Sequence, residues 1–393
     1  MRCKTILSVI SNLKSPISHL KKVGAFLRTL GGDKVIWLVV ALLSMFSILA
    51  VYSATGTLEF KYNYSTNYVM RHMTLLFGGL LLMYLAHYLH YMKYSAWAPI
   101  MITVAVPLLI FTLLFGVEIN NARRWIAIPG IGMTFQASDF AKLALITYVA
   151  RMISSKQEYI TDFKSAFLPI IIPVVVICGL IAPADLSTAM LLFLTCILLM
   201  FMGRVATKYI LVLLGLGIAT FGLLVVLGDV FPDFIRVDTW AERLYNFRTN
   251  TDGEFQVQQG KMAIAEGGFI GVGPGNSFQR NYLPSAYADF IYAIIVEEYG
   301  LLGGLAVLML YILLFIRCVR LVTVSSKAFG AMLALGLSLL LVLQALINMA
   351  VVVHLVPVTG LTLPMISMGG TSMMFTCISI GMILSVSKYV QKL

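Results

Sequence analysis

The sequence predicts an all-α polytopic membrane protein with about ten transmembrane helices and one large extracytoplasmic loop between the seventh and the eighth. Hydrophobic residues make up 60% of the 393 residues and charged residues only 11%, too few charges for an ordinary water-soluble surface. Apolar runs recur at close to the roughly 20 residues that cross a bilayer. The stretch 231–286 interrupts them and is rich in glycine and polar residues.

The apolar runs predict the membrane spans in order. They lie at 35–54, 72–89, 95–115, 137–154, 165–182, 185–203, 208–229, 288–316, 326–356 and 369–387. The fourth run is the least apolar because it contains Asp139 and Lys142. These two residues are one helical turn apart, so we expect them to pair on a single face.

The chain divides into a tail, 1–34, and a single membrane domain, 35–393, which includes the loop 231–286. Apolar residues in 5–30 recur close to every 3.6 positions with lysines between them, which predicts a basic amphipathic helix on the inner membrane surface. Pro16 interrupts this pattern, so a disordered basic tail is the alternative.

The distribution of Lys and Arg predicts the orientation. Both concentrate in the tail and in the even-numbered connections between spans, and short cytoplasmic segments retain such residues. We therefore expect both termini in the cytoplasm and the loop 231–286 on the outer side. The net charge of +11 follows from this bias and from attraction to anionic membrane lipid, so no nucleic acid partner is needed.

The cysteines and histidines indicate neither a disulfide nor a metal site. The five cysteines lie in the tail, within spans or at an inner edge, and the five histidines are scattered without ligand spacing.

Asp289 is the strongest candidate for a catalytic residue. It opens the eighth span directly behind the polar loop, and an ionisable group at the mouth of a membrane bundle indicates function. A carboxylate near an apolar boundary suits a general base, because desolvation raises its pKa toward working pH. Helix N-capping is the alternative role.

A second group of candidates precedes the fourth span. Arg123 and Arg124 are expected on an outer surface poor in positive charge, where they can hold a phosphate group. Trp125 follows them, ahead of a Pro-Gly turn at Pro129 and Gly130. A membrane-interface anchor is the alternative role for Trp125.

Glu297 and Glu298 are supporting candidates within the eighth span. At about 100° per residue they cannot both share the helix face of Asp289, and Glu297 should lie nearer to it. At least one needs a partner inside the bundle, because an unpaired carboxylate there is costly, and Lys142 is a candidate.

Two further segments combine polar groups with membrane depth. Asp185 is placed to cap the sixth span. The segment from His354 to Met374 contains two prolines and three glycines. Irregular backbone at this depth must be buried or line a cavity, so the segment predicts one wall of a pocket, with a tight hairpin as the alternative.

Three motifs resemble those of a known family. They are RRWIAIPGIGMTFQASDFAKLAL, GGFIGVGPGNSFQRNYLPSAYADFIYAIIVEEYG and VPVTGLTLPMISMGGTS. Together they resemble the signatures of the SEDS family, the FtsW, RodA and SpoVE proteins of bacteria, over Lys34 to Ser387. Within that family, GNSFQRNYLP and GLTLP are more similar to FtsW than to RodA.

The resemblance implies a peptidoglycan glycosyltransferase that joins lipid II units into glycan chains at the outer face of the bacterial inner membrane, at the division septum. The family's essential Asp falls on Asp289, its Trp on Trp125 and its Lys on Lys142. A class B penicillin-binding protein and other division proteins are the implied partners.

The implied chemistry leaves the diphosphate contacts open. The leaving lipid diphosphate needs positive charge, and this can come from a set of basic residues, with or without a divalent cation such as Mg or Mn. The candidates are Arg123, Arg124, Lys142, Arg243 and Arg248.

The chain also departs from the family pattern. Ser285, Tyr287 and Ala288 stand where Glu, His and Thr are usual, so the roles of those side chains do not transfer. Met368 replaces a common Tyr, and the usual Gln-Pro-Asp has become Pro-Ala-Asp at 183–185.

A lipid flippase or secondary transporter, and a non-catalytic division scaffold, are the alternative functions.

Overall fold

The computed structural model describes residues 31–62, 65–119, 122–128, 133–160, 162–230, 237–249, 255–283 and 286–390. Most of the basic tail 1–34, the turn at Pro129 and Gly130, and Ser285 therefore lie outside the described residues.

Helices dominate the described residues. Those that match the predicted spans are α1 (Lys34–Tyr62), α2 (Ser65–Tyr88), α3 (Tyr91–Phe115), α4 (Ala137–Ser155), α5 (Leu168–Ile181), α6 (Leu186–Met202), α7 (Thr207–Val230), α10 (Ile291–Val324), α11 (Ala328–Val352) and α12 (Thr371–Val390). Each predicted span corresponds to one helix, so the fold class is confirmed.

The spans differ in how apolar and how long they are. Among the described residues, seven helices are long and apolar enough to cross a membrane alone, while α5 and α6 are shorter apolar helices of 14 and 17 residues. Helix α4 carries the charged residues noted above. Most residues of α4 are buried within the bundle, whereas α5 and α6 each keep exposed apolar residues, among them Ile172 and Met190.

The centre of the bundle consists of α11 and α12, whose apolar stretches are mostly buried. Helices α2 and α12 approach closely through two glycines. A Cβ at Gly79 would lie 2.9 Å from Cys377 Sγ, and one at Gly381 would lie 2.4 Å from the backbone oxygen of Met83. Small residues at such contacts let helix backbones pack in the absence of a hydrophobic driving force.

A small antiparallel sheet between α3 and α4 was not predicted. Its strands are β1 (Val117–Ile119), β2 (Ala122–Ile128) and β3 (Met133–Gln136), in the order β1-β2-β3. Residues 122–128 do not alternate between apolar and polar, so the period of a half-buried strand is missing there, and the sequence indicated the arginines and Trp125 only as candidate binding residues.

The predicted loop 231–286 also contains helices, which the interpretation as a non-helical segment missed. These are α8 (Val237–Thr249), α9 (Phe255–Gly267) and a 3₁₀ turn at Gln279–Asn281. Helix α9 packs against α10, and Gly260 faces the ring of Phe290. The loop is therefore a folded layer over the end of the bundle where Asp289 lies.

Candidate functional site

Asp289 lies in the turn that leads into α10, and its side chain is half-buried. The N-cap of α10 is Phe290 and not Asp289, so helix capping, the alternative role for Asp289, is wrong. Asn348 Nδ2 donates to the Asp289 carbonyl at 2.8 Å, and Ser367 Oγ donates to the Ala288 carbonyl at 2.7 Å. The backbone on which Asp289 stands is therefore held by buried side chains of the central bundle.

The irregular segment between α11 and α12, residues 353–370, forms a wall beside Asp289. A Cβ built on Gly360, whose φ is +68°, would lie 3.7 Å from Asp289 Oδ2. The tight hairpin alternative is wrong, because eighteen residues separate the two helices. The segment therefore lies against Asp289, and its role as the wall of a pocket stays a prediction.

Side chains from neighbouring helices satisfy the backbone of that segment. Asn348 Nδ2 donates to the Leu361 carbonyl at 2.7 Å, Gln344 Nε2 donates to the Thr362 carbonyl at 2.8 Å, and the Tyr311 hydroxyl donates to the Pro364 carbonyl. Unpaired carbonyls at membrane depth would each cost several kcal/mol, so these bonds allow the irregular backbone to exist there.

Two arginines and a second acid lie in the electrostatic surroundings of Asp289. Arg124 on β2 forms an ion pair with Asp185 at 3.2 Å and donates from Nε to the Ala184 carbonyl at 2.7 Å. Arg243 on α8 donates to the Val358 carbonyl at 3.1 Å. The folded loop thus brings a basic side chain onto the wall that faces Asp289.

The pKa of Asp289 is raised above the ordinary value for an aspartate. Burial is the main cause, since it penalises the charged carboxylate, and the negative charge of Asp185 adds to it. Arg124 and Arg243 act in the opposite direction. A carboxyl shifted this way can accept a proton from a weakly acidic group at working pH, which is what a general base requires.

A small, partly open cleft lies beside Arg124. Its polar lining consists of Arg123, Arg124, Asp185, Thr112 and Ser138, and its other walls are apolar residues of α3, α4 and α5. Asp185 Oδ1 also accepts from Thr188 N at 3.1 Å, which confirms its predicted capping role. Its ion pair with Arg124 was not predicted.

Lys142 and Asp139 form the predicted pair, with Nζ 2.7 Å from Oδ1. Both side chains are buried. Lys142 as the partner of Glu297 or Glu298 is wrong, because the carboxylate one turn away on its own helix takes that position. A diphosphate contact for Lys142 stays a prediction.

Trp125 is half-buried at the centre of the sheet, paired with Val117 on one side and Gln136 on the other. The sheet is fixed to α12, since the Gln136 amide donates to Thr371 Oγ1 at 3.2 Å. Trp125 and Arg124 are neighbours on β2 and are therefore held in place together with the sheet.

Arg123 and Arg248 occupy more open positions than the other candidates. Arg123 Nε lies 3.7 Å from the carboxylate of Glu118, with more than a third of its side chain exposed. Arg248 is exposed near the end of α8. Roles for both in binding stay predictions.

Glu297 and Glu298 are fully buried and have hydrogen-bond donors rather than a cation as partners. Glu297 accepts from Ser277 Oγ at 2.5 Å, from the Phe278 amide at 2.7 Å and from the Gln279 amide at 3.1 Å. Glu298 accepts from the Ser53 hydroxyl of α1. The two glutamates therefore join α10 to the loop and to α1, which supports a positioning role.

Sequence reasoning missed Asn348 and the second role of Asp185. A polar amide inside an apolar span is itself a signal, because it needs a partner there. The partner, a carbonyl 59 residues away, is visible only in the fold.

The sequence of the chain matches a known family along almost all its length. Residues 33–392 match the model of the FtsW, RodA and SpoVE family, described as cell cycle proteins. A probable peptidoglycan glycosyltransferase FtsW from Geobacter sp. (strain M18) is 33% identical over 365 residues, which cover 92% of this chain and 98% of that protein. Stage V sporulation protein E of Bacillus subtilis (strain 168) is 31% identical, covering 91% and 97%.

Solved structures share the fold. A chain from a peptidoglycan synthase complex that coordinates polymerization and crosslinking superposes with a TM-score of 0.72 at 24% identity, covering 91% of this chain and 98% of that one. The rod shape determining protein RodA of Thermus thermophilus superposes with a TM-score of 0.66 at 22% identity, covering 91% and 96%.

Proposed function

Because the chain belongs to the FtsW, RodA and SpoVE family of cell cycle proteins, we propose that it is a peptidoglycan glycosyltransferase that polymerises lipid II into glycan strands. Relatives named as probable peptidoglycan glycosyltransferases align over about nine-tenths of its length. It is a multi-pass membrane protein, as its apolar helices require.

The observation that carries the proposal is the position of Asp289. This acid of raised pKa stands at the junction of the folded loop and the bundle, within the fields of Arg124 and Arg243. A glycosyl transfer from a lipid diphosphate needs one base and a site that tolerates negative charge, and this end of the bundle supplies both.

In the proposed reaction, Asp289 takes the proton of an acceptor sugar hydroxyl as its oxygen attacks the anomeric carbon of the donor. The new glycosidic bond forms as the bond to the diphosphate breaks, and the configuration at the anomeric carbon inverts. The electron pair of the broken bond leaves with the lipid diphosphate.

Arg124 and Arg243 are the cations placed to hold the diphosphate. The charge of Arg124 is partly neutralised by Asp185, whereas Arg243 donates to a backbone carbonyl. At Arg243 a bound phosphate would therefore displace only this uncharged acceptor. A divalent cation bound with the substrate is a second source of charge, and activity measured in EDTA with Mg or Mn added back tests it.

The positive charge of the tail and the even-numbered connections supports cytoplasmic termini and a reaction at the outer face of the inner membrane. The motifs similar to FtsW support a role in septal wall synthesis, together with a class B penicillin-binding protein and other division proteins. Fluorescence of a tagged chain during division tests the septal location.

The deciding experiment measures glycan chains formed from labelled lipid II by the purified protein with its penicillin-binding partner, whose own transferase activity is excluded. Asp289→Asn removes the base while keeping the side-chain volume, and we expect it to fold but make no polymer. Glu158→Gln, an exposed acid in a short connection, is the matched control and should remain active.

Polymer from Asp289→Asn at the wild-type rate would remove Asp289 from the centre of the reaction. Polymer from none of the variants, with labelled lipid crossing vesicle membranes, would favour the transporter instead. Full support of division by Asp289→Ala would favour the scaffold.

A further inference from the structure

The loop-side boundary of the membrane can be located from two pairs of contacts. At one end of the bundle, Arg317 Nε of α10 donates to Asp33 Oδ2 at 2.8 Å. At the other end, Glu298 of α10 accepts from Ser53 of α1. Along the unbroken helix α1, 20 residues separate Asp33 from Ser53, which corresponds to about 30 Å at 1.5 Å per residue. That length equals the roughly 30 Å thickness of a hydrocarbon core, so a core that begins at the Asp33 contact would end near Glu298.

Helix α10 is interrupted directly beyond this point. Gly300 has φ +67° and ψ −171°, so its amide and carbonyl leave the helical path. The segment 267–273 bonds to the groups freed by this break: the Leu301 amide donates to the Gly268 carbonyl at 2.9 Å, and the Val272 amide donates to the Glu297 carbonyl at 3.0 Å. The segment is thereby fixed at the height of the membrane boundary.

Glycines make that contact possible. A Cβ at Gly271 would lie 2.2 Å from the Glu298 carbonyl oxygen, and one at Gly267 would lie 2.1 Å from that of Val296. The two backbones touch, so the segment cannot withdraw from α10 without losing its hydrogen bonds.

The tip of this segment presents two large apolar side chains outward. Phe269 is 75% exposed and Ile270 81% exposed, and the sequence 267–273 contains no charged or polar side chain. Below the tip, the exposed Leu302, Leu305 and Met309 continue as an apolar stripe along α10. The tip thus stands at the upper end of an exposed apolar surface.

We propose that Phe269 and Ile270 insert into the interface of the bilayer and anchor the loop to lipid. Large apolar side chains at the boundary gain free energy by leaving water for the acyl region, while the backbone behind them is already satisfied by α10. The anchor fixes the position of the folded loop, which covers the end of the bundle where Asp289 lies, relative to the membrane surface. This inference does not depend on the proposed reaction.

The test uses a fluorophore at the tip. In a Cys3→Ser background, in which Cys178, Cys196, Cys318 and Cys377 are buried, Ile270→Cys is labelled with an environment-sensitive nitrobenzoxadiazole dye. The labelled protein is placed in lipid nanodiscs containing spin-labelled phosphatidylcholine. Lys261→Cys, an exposed position on α9 of the same loop, is the matched control, and Phe269→Cys is the second position should the first fail to fold.

We expect the dye at the tip to be quenched several-fold more strongly by lipid than the dye at residue 261, most strongly by spin labels placed near the headgroups. Equal lipid quenching at the two positions, with full quenching by aqueous iodide at the tip, would overturn the proposal. A tip shielded only after a single-pass partner protein is added would assign the surface to that partner and would also overturn it.

Discussion

The side-chain amide of Asn348 donates to the backbone carbonyl of Asp289 at 2.8 Å and to that of Leu361 at 2.7 Å. One buried nitrogen therefore sets the distance between the candidate base and the wall of its pocket. Asn348 itself is 1% exposed, so bulk solvent does not reach these bonds.

Asn348→Ala should lower both stability and turnover. It leaves two carbonyls unpaired, at about 1–3 kcal/mol each. A displaced base costs about tenfold to hundredfold in rate. Thermal unfolding in detergent and lipid II polymerisation measure the two effects. Ser338→Ala, which removes a buried hydroxyl that donates to the Leu335 carbonyl of the same helix, should keep full activity. Wild-type turnover of Asn348→Ala would contradict a positioning role.

The pH profile of polymerisation should reveal the pKa of Asp289. The base works only when ionised, so activity falls as pH drops through that pKa, at higher pH than for an ordinary aspartate because burial raises it. Asp185→Asn removes a nearby negative charge and should move the acid limb to lower pH. Arg243→Gln removes a positive charge and should move it to higher pH. Shifts in the same direction for both variants would show that Asp289 does not control the limb.

Arg124→Gln and Arg243→Gln should weaken transfer from the lipid diphosphate. A hydrogen bond to a charged group contributes about 1.5–3 kcal/mol, so kcat/KM should fall by about tenfold to hundredfold. Steady-state polymerisation over a range of lipid II concentrations measures the loss. Arg248→Gln changes an exposed arginine on the same helix as Arg243 and should have a smaller effect. An equal loss there would place Arg248 in the site.

Gly300→Ala should destabilise the junction of α10 and the loop. A Cβ there would lie 2.3 Å from the Phe269 carbonyl oxygen, at a φ of +67°. The strain amounts to about 1–3 kcal/mol, and the clash adds to it. Gly215→Ala on α7, where a Cβ would meet no atom within 4 Å, is the control and should unfold at or above the wild-type temperature. Unfolding of Gly300→Ala at the wild-type temperature would show that the backbone of the loop does not contact α10 closely at Gly300.

Local patterns in the sequence were sufficient for the membrane spans, for the pair of Asp139 and Lys142, and for the capping role of Asp185. Each depends on residues within a few turns of one another, where helical periodicity already decides which side chains meet. Asp289 was also identified locally, from one acid at the start of an apolar run.

Contacts between distant segments could not be predicted in this way. The ion pair of Arg124 and Asp185 joins a strand to a helix cap, and the bond of Ser53 to Glu298 spans 245 residues. Lys142 had been assigned to Glu297 or Glu298 because a buried carboxylate needs a partner, but the chain offers many donors, and packing selected serine hydroxyls and backbone amides. The sequence by itself determined which segments form the apolar helices and which acid precedes the eighth of them. Only the tertiary structure decided what surrounds that acid, because the energy of a buried polar group depends on neighbours that the chain brings together through folding.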